Sequence, residues 1–320
     1  MTVSNDRRYS RREVLRTGAL AGLGSMLTHS LLAADATSLP LITKKIPSSG
    51  QAIPVMGLGT NAFHDPANTE LRDLLLRMEQ LGGKVIDTAA MYGQSEAVIG
   101  QDLAQLGIRD QMFIATKFNA AGATRWGGDD ISGQASFERS LMRLKTDHVE
   151  LLMAHFLDSV EPLMPLMLQL KKAAKTRYIG ITTVNEQEHP RLIQYMRKYP
   201  IDFVQVDYSL GNREAASSVF PVAIERKIAV MIAVPLGGRR GSLLEQASGH
   251  ELPAWAADID VSSWSQLFLK FVISHPAVTC AIPGSSKVQH LEDNQIAGRG
   301  RVPDAAFRQR IEQYWDKLSA

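Results

Sequence analysis

The sequence predicts an α/β fold of the (β/α)8 TIM-barrel type. Short apolar runs alternate with amphipathic helical stretches along most of the 320-residue chain, and this alternation is typical of a parallel sheet wrapped by helices. About 284 residues follow an N-terminal segment of different composition. One large domain fits that length, because a typical barrel of this type has about 250 residues.

The predicted elements follow one another in the order that a barrel requires. Eight apolar runs are predicted as barrel strands, at residues 55–58, 85–87, 112–116, 149–155, 178–182, 203–207, 229–234 and 278–282. Helical periodicity is clearest at residues 71–81, 137–144, 191–198 and 264–274. Residues 41–54, with a Ser-Ser-Gly turn at their centre, are predicted to form a hairpin ahead of the barrel.

Two connections break the regular alternation, at residues 119–133 and 237–262. Long connections after the carboxyl ends of barrel strands are where these folds build substrate pockets. Trp126 and Trp255 are therefore the candidate aromatic walls of a pocket. The single cysteine, Cys280, lies in the last predicted strand, where a small buried apolar side chain is the favoured role.

Residues 1–36 are predicted to be a twin-arginine signal peptide that is cleaved, with residues 37–320 forming the barrel. The basic residues 10–16 contain the pair Arg11 and Arg12, the run 17–32 carries no charge, and Ala-Asp-Ala at 34–36 provides a cleavage site. The export machinery is then a partner and the periplasm the expected location. A disordered basic tail or an uncleaved anchor are the alternatives, but the 16 uncharged residues are fewer than the roughly 20 that span a bilayer.

Charge gives no support for nucleic-acid or membrane binding by the barrel. The whole chain has 35 basic and 33 acidic residues, and residues 1–36 hold five arginines against three acids. The remainder therefore has 30 of each sign. A balanced surface does not attract a polyanion, and no later segment is long and apolar enough to predict a transmembrane helix.

Four residues at predicted strand ends suggest acid catalysis. They are Asp87, Tyr92 five residues later, Lys117 and His155. A free tyrosine has a pKa of about 10, and a lysine cation beside a tyrosine stabilises the phenolate. A carboxylate can fix the lysine, and an imidazole can hydrogen-bond a substrate carbonyl. This set can protonate an oxygen while hydride reaches the adjoining carbon.

Each of the four residues also has a purely structural interpretation. An aspartate after a strand, such as Asp87, often caps the next helix, Tyr92 can be a packed loop aromatic, and Lys117 can be a solvated strand end. For a lone histidine such as His155, a role in the core is the better expectation. All four nevertheless fall on the face of a barrel that carries catalysis, and this common position favours a site.

These residues and their surroundings resemble the aldo-keto reductase family over nearly the whole chain after residue 36. The stretch 87–96, DTAAMYGQSE, is similar to the family's most recognisable signature. The other matching stretches are Gly57-Leu58-Gly59-Thr60, Ser140-Leu141 through Leu144-Lys145-Thr146-Asp147, Gly180-Ile181-Thr182, Gln205 to Leu210, Pro235-Leu236-Gly237, and Ile282 to Ser286 with Asn294. The resemblance implies a catalytic tetrad of Asp87, Tyr92, Lys117 and His155, and a hairpin that caps the barrel bottom.

The resemblance also implies a nicotinamide cofactor, with NADP(H) favoured and NAD(H) possible. Asn294 would hydrogen-bond the adenine, while Thr182 and Gln205 would hold the nicotinamide carboxamide. The turn at 284–286 precedes a predicted helix start that suits a phosphate; alternatively, Ser285 or Ser286 is only a helix cap. The full set of cofactor contacts implied is Gly59, Thr60, Thr182, Thr183, Gln205, Pro235, Leu236, Gly284, Ser285, Ser286, Lys287, His290, Asp293 and Asn294.

Several positions depart from the family pattern. Thr183 stands where a carboxamide-binding asparagine is usual, and Ala233-Val234 where an aromatic side chain usually stacks on the nicotinamide. Gly284 and His290 occupy positions that often carry the cations gripping the 2′-phosphate, and Lys287 is the nearest remaining cation.

Three classes of function follow from the sequence. The leading one is an exported, NAD(P)H-dependent reductase of a small-molecule aldehyde or ketone. The second is a nucleotide-binding or sensor barrel with little turnover. The third is a glycosidase-type barrel using Asp87 and Asp207, which requires carboxylates about 5–10 Å apart. No metal site is predicted, because the eight histidines show no paired-ligand spacing.

Overall fold

The computed structural model describes residues 37–122, 131–238 and 241–319. Two short antiparallel strands come first, and eight parallel strands follow. The strands are β1 (Thr43–Lys45), β2 (Ala52–Pro54), β3 (Leu58–Gly59), β4 (Val85–Asp87), β5 (Phe113–Phe118), β6 (Val149–Ala154), β7 (Thr176–Thr183), β8 (Phe203–Asp207), β9 (Ala229–Ala233) and β10 (Val278–Ala281).

The parallel strands run in chain order from β3 to β10, and the sheet closes on itself. Parallel bridges join Met56 to Ala281 and Gly59 to Gly284, and the backbone N–H of Gly57 donates to Ala281 O over 2.8 Å. A side chain at Gly57 would lie 2.9 Å from Val85 O, so a glycine permits this close approach. The predicted (β/α)8 barrel is confirmed.

Helices follow most of the strands and cover the outside of the barrel. They are α1 (Thr69–Gln80), α2 (Ser95–Leu106), α3 (Gly133–Arg143), α4 (Val160–Lys172), α5 (His189–Lys198), α6 (Glu214–Arg226), α7 (Leu243–Gln246), α8 (Trp264–Ser274), α9 (Val288–Ala297) and α10 (Ala305–Leu318).

Helix boundaries agree with their capping residues. The Asn68 side chain accepts from the backbone N–H of Glu70, and the Ser132 hydroxyl accepts from Ala135. These caps start α1 and α3 two and four residues before the apolar periodicity predicted, because a polar cap extends a helix beyond its buried stripe. The prediction for α8 matches residue for residue.

The predicted hairpin forms and lies under the barrel. Strand β1 pairs with β2 in antiparallel register, and the Tyr178 hydroxyl at the barrel floor hydrogen-bonds Ser49 over 2.7 Å and Gln51 over 2.8 Å. Above this plug the barrel interior is an apolar cluster of Ile46, Ile53, Val85, Phe113, Ala115, Leu151, Met153, Tyr178, Phe203, Ala229, Met231, Cys280 and Ile282.

The structure describes part of each of the two irregular connections. The predicted signal at residues 1–36 and Trp126 lie outside the described residues. Residues 237–262, expected to be irregular, contain the short helix α7 and a 3-10 helix at Ala254–Ile259. Trp255 in that 3-10 helix packs edge-on against Phe307 and Tyr314 of α10, so its described contacts are with the C-terminal helix.

None of the helices in the described ranges combines the length and the apolar character needed to cross a membrane.

Candidate active site

The four candidate catalytic residues meet at the carboxyl end of the barrel. Asp87 is the last residue of β4, Lys117 is next to last in β5, and His155 directly follows β6. Tyr92 lies in the turn that connects β4 to α2. The structure therefore brings together all four residues that the sequence singled out.

The loop that carries Tyr92 is held at both ends. On one side the Ala90 backbone N–H donates to Lys117 O over 2.9 Å. On the other, the Ser95 hydroxyl at the start of α2 donates to the Thr60 carbonyl oxygen over 2.9 Å. Both Ser95 and Thr60 are fully buried. These contacts fix the loop over the end of β5 and so hold Tyr92 near Lys117.

Asp87 and Lys117 form a buried ion pair. Lys117 Nζ lies 2.7 Å from Asp87 Oδ2 and donates a second hydrogen bond to Thr88 O over 2.8 Å. The exposed fractions of Lys117 and Asp87 are 1% and 4%. A charge at this depth is costly unless it is paired, so each of these residues requires the other.

The Lys117 ammonium also faces Tyr92, with Nζ 4.9 Å from the centre of the phenol ring. Burial disfavours the charge on Lys117, but attraction to the Asp87 carboxylate, together with the nearby Tyr92 phenol, outweighs burial and keeps the pKa of Lys117 above its ordinary value. At neutral pH the lysine is therefore a cation, and it stands beside the group that would donate a proton.

His155 completes the mouth of the site as a neutral imidazole. Its ring meets the Tyr92 ring edge-on with centroids 5.6 Å apart and stacks on Phe156 at 4.8 Å. Burial, and then the Lys117 charge, hold the pKa of His155 well below its ordinary value. A neutral imidazole has one N–H to donate, which suits a carbonyl oxygen placed near Tyr92.

Gln205, predicted as a carboxamide contact, is fully engaged inside the barrel. Its Nε2 donates to Asp87 Oδ1 over 3.0 Å, and its Oε1 accepts from the Thr182 hydroxyl over 3.1 Å. Thr182 and Gln205 are also register partners on β7 and β8. The Gln205 side chain is 2% exposed, so it lies below the mouth of the site.

The predicted contacts Gly59 and Thr60 lie beside the tetrad. The Thr60 hydroxyl donates to Asp87 O over 2.9 Å, and Gly59 of β3 forms a parallel bridge with Gly284 in the segment after the last strand. The neighbouring Thr183 hydroxyl donates to Glu188 over 2.5 Å, so Thr183, predicted to stand in place of a carboxamide-binding asparagine, is tied to the following 3-10 helix.

A tight turn follows β9 where the family usually has an aromatic residue. Val234 has a φ of +53°, a region that a β-branched residue rarely adopts. A Cβ at Gly238 would lie 1.8 Å from Val234 Cγ1, so a glycine is required there. Pro235 is buried and Leu236 half-buried, and the Leu236 carbonyl oxygen accepts from the Leu243 N–H over 3.0 Å.

The predicted phosphate segment forms the approach to α9. Gly284 is exposed, and a Cβ there would meet only Asn61 Oδ1 and Gly59 O within 4 Å. The residue that caps α9 is Lys287, and no side-chain hydrogen bond caps the helix. The alternative that Ser285 or Ser286 caps it is therefore wrong. Uncapped N–H groups at a helix start suit a phosphate.

The other predicted contacts lie along this segment and α9. Ser286, Lys287 and His290 are exposed and Asp293 is half-buried. Asp293 accepts from the Ser263 hydroxyl over 2.8 Å, and buried Asn294 accepts from the Ser265 hydroxyl over 2.8 Å. These bonds join α9 to the start of α8, and the contact of Asn294 with adenine stays a prediction.

Sequence reasoning did not single out two polar residues that lie close to the tetrad along the chain. Glu96 is 1% exposed, accepts from the Thr116 hydroxyl over 2.7 Å, and lies 3.5 Å from Arg143. Asn119 has a buried Oδ1 with no hydrogen-bond partner among the described residues. Glu96 lies inside the signature at residues 87–96, and Asn119 directly follows β5. Their positions along the chain are therefore the signal by which sequence reasoning could have found them.

Within residues 37–122, 131–238 and 241–319, no group of three or more histidine, cysteine, aspartate or glutamate side chains is placed to hold a metal ion.

Comparison with known proteins identifies relatives across the barrel. A model of the Aldo/keto reductase family matches residues 55–314. The chain is 31% identical over 262 residues to the methylglyoxal reductase YeaE of Escherichia coli, a match that covers 78% of this chain and 88% of that protein.

Solved structures share the same fold. The holo form of an aldo-keto reductase from Bacillus halodurans is 22% identical with a TM-score of 0.69, over 88% of this chain and 97% of its own. An aldo-keto reductase from Klebsiella pneumoniae in complex with NADPH is 24% identical with a TM-score of 0.69, over 86% and 95% of the two chains.

The buried ion pair generates a prediction about stability. Lys117→Met should lower the free energy of unfolding by about 3–5 kcal/mol at neutral pH, because Asp87 is left buried without its cation. The double variant Asp87→Asn, Lys117→Met removes both charges and should recover most of that loss. Denaturant unfolding of the three proteins measures this; a double variant no more stable than the single variant contradicts it.

Proposed function

This chain belongs to the Aldo/keto reductase family, and we propose that it reduces an aldehyde or ketone with a nicotinamide cofactor, using Tyr92 as the general acid. The observation that carries the proposal is the buried Lys117 cation, held between the Asp87 carboxylate and the Tyr92 phenol. A structural lysine would not need to be buried against a tyrosine at the mouth of a barrel.

The chain's own residues supply the proton half of the reaction. His155, as a neutral donor, orients the substrate carbonyl oxygen toward Tyr92. The Tyr92 hydroxyl then gives its proton to that oxygen, and the Lys117 ammonium stabilises the phenolate that forms. Asp87 stays ionised throughout and holds Lys117 in place. General-acid catalysis of this kind contributes roughly 10²–10⁴-fold.

The residues beyond β10 fit a dinucleotide. Uncapped N–H groups at the α9 start, the exposed Gly284 and the exposed Lys287 form a donor set for phosphate. When bound, the nicotinamide cofactor supplies hydride to the substrate carbon. The NADPH complex of the Klebsiella pneumoniae relative supports NADP(H) as the preferred cofactor, with NAD(H) as the alternative.

Two other functions have less support. A sensor or binding barrel would not need the complete arrangement of acid, cation and carboxylate at the mouth. A glycosidase mechanism needs a carboxylate that is free to attack or to transfer a proton. Both oxygens of Asp87 instead accept hydrogen bonds, from Lys117 and from Gln205.

Tyr92→Phe tests the acid directly. It should lower kcat by at least ~10² while cofactor affinity and the unfolding midpoint stay near those of the wild type, because only the hydroxyl is removed. Methylglyoxal is a suitable first substrate in view of the relative's activity. Turnover at the wild-type rate would show that Tyr92 is not the acid. A wild-type protein that binds cofactor and never turns over would favour the sensor alternative.

Cofactor preference depends on the cation at the α9 start. Lys287→Met should weaken NADPH binding by roughly tenfold and leave NADH binding unchanged, because only NADPH carries a 2′-phosphate. The neighbouring exposed Gln289 provides the matched control, Gln289→Met. Fluorescence titration of each protein with both cofactors measures the effect. An equal loss for both cofactors would place Lys287 at the shared pyrophosphate.

We also propose that residues 1–36 direct export, as their paired arginines and uncharged run suggest. Replacing Arg11 and Arg12 together with lysine should leave a folded protein in the cytoplasm, since this address depends on arginine itself. Cell fractionation measures where the protein lies, and cofactor binding shows whether it is folded.

Wild-type protein recovered from the periplasm should also carry nucleotide that mass spectrometry detects, because a folded protein crosses the membrane with its ligands bound.

A further inference from the structure

The guanidinium of Arg143 contacts the loop that carries Tyr92 from the helix side. Arg143 is the last residue of α3, and its Nη1 donates to Ala90 O over 3.3 Å. The same nitrogen lies 3.5 Å from Glu96 Oε2. Ala90 is two residues before Tyr92, and Glu96 lies in the first turn of α2. One cation therefore joins the two ends of the segment 90–96, which presents the proposed acid.

Glu96 fastens this arrangement to the strand that carries Lys117. The Thr116 hydroxyl donates to Glu96 Oε1 over 2.7 Å, and both side chains are buried. Thr116 directly precedes Lys117 in β5. Because successive side chains of a strand point to opposite faces, Thr116 faces the helices while Lys117 faces the site. The contact between Thr116 and Glu96 therefore lies between the strands and the helices, behind the tetrad.

Arg143 reaches these partners because α3 ends close against α2. A Cβ at Gly100 of α2 would lie 2.2 Å from Arg143 O, so no larger residue fits there. The exposed fractions of the Arg143 and Glu96 side chains are 28% and 1%. Burial raises the pKa of Glu96, while the Thr116 hydroxyl and the Arg143 charge oppose that shift. Removal of Arg143 would leave Glu96 buried without its cation.

We infer that Arg143 is a positioning residue that holds the Tyr92 loop in place over Lys117 through its contact with Ala90 O. This inference rests on the proposed function. The Ala90 peptide is held on both sides, because its N–H donates to Lys117 O over 2.9 Å and its carbonyl oxygen accepts from Arg143. Without the second contact the loop can move away from β5. A displacement of about 1 Å in a reacting group can lower a rate by about 10²-fold.

The first measurement compares kcat with cofactor affinity. Arg143→Met keeps an unbranched side chain and removes both contacts. It should lower kcat by roughly 10- to 100-fold and leave the affinity for NADPH unchanged, because no predicted cofactor contact is altered. Arg143→Lys keeps a cation with N–H donors and should recover part of the lost kcat.

Arg109 provides the matched control at the opposite end of the barrel. Its Nη2 donates to His148 O over 2.8 Å, and its Nη1 lies 3.4 Å from the buried Glu150 carboxylate. Arg109 precedes β5, so it lies at the end of this strand away from the tetrad. Arg109→Met removes the same two kinds of contact and should destabilise the protein, while its kcat should match that of the wild type.

The double variant Glu96→Gln, Arg143→Met separates stability from positioning. Arg143→Met should lower the unfolding midpoint, because Glu96 is left buried without a cation. Glu96→Gln removes that charge, and the new amide oxygen can still accept from Thr116. The double variant should therefore regain most of the lost stability. Its kcat should stay low, because Ala90 O still lacks its donor.

Hydrogen exchange tests the loop without cofactor or turnover. The rate of exchange in the peptide 87–96 reports how firmly the loop is held. Arg143→Met and the double variant should speed exchange there, since loop opening exposes the Ala90 N–H that donates to Lys117 O. Arg109→Met should leave exchange in this peptide unchanged.

A low kcat with unchanged NADPH affinity, together with faster exchange at residues 87–96, supports the inference when the double variant behaves in the same way. It is overturned if kcat recovers along with stability in the double variant, if Arg109→Met lowers kcat as much as Arg143→Met, or if exchange at residues 87–96 does not change. Absence of wild-type turnover would count against the proposed reductase function, and the exchange measurement would still decide whether Arg143 holds the loop.

Discussion

The site depends on the burial of one opposite-charge pair. Asp87 and Lys117 are both almost inaccessible, and neither charge would be stable alone at that depth. Their mutual attraction holds the ends of β4 and β5 together. The loop that carries Tyr92 is hydrogen-bonded to the end of β5, because the Ala90 N–H donates to Lys117 O. The fold therefore positions Tyr92, the proposed acid, by the same contacts that make the buried charges tolerable.

Local signals were sufficient for much of this molecule. The strands could be predicted because each is a short apolar run, and the barrel puts all strand ends on one face. Asp87, Tyr92, Lys117 and His155 could be found because each lies at or just beyond such an end. The hairpin was predictable from its polar turn, although the contact between Tyr178 and Gln51 that seats it was not.

Other contacts have no local signature. Gln205 and Asp87 are separated by 118 positions, and only barrel curvature brings their side chains together. The predicted starts of the helices that Asn68 and Ser132 cap were too late. Apolar periodicity marks only the buried face of a helix, and a polar capping residue lies outside that face. Residues 237–262 were expected to be irregular because they break the strand and helix alternation, yet α7 and a 3-10 helix form there, and Trp255 of the 3-10 helix packs on α10.

Among the described residues, Val234 is the only β-branched residue with a positive φ, and it lies in a turn near the predicted nicotinamide site. A valine with positive φ costs on the order of 1–3 kcal/mol and persists only where the surroundings impose it. At Val234 the surroundings include Gly238, which leaves room for the valine methyl. This unusual backbone thus occurs at the position where the sequence predicts that a stacking aromatic residue is missing.

The plugged floor of the barrel has a consequence for proton supply. Between the Tyr178 plug and Asp87 the interior is lined by apolar side chains such as Phe113, Phe203 and Met231, and these cannot relay protons. Solvent therefore exchanges with Lys117 and Tyr92 through the mouth. In the proposed reaction, the proton that replaces the one consumed in each cycle would enter through the same opening by which product leaves.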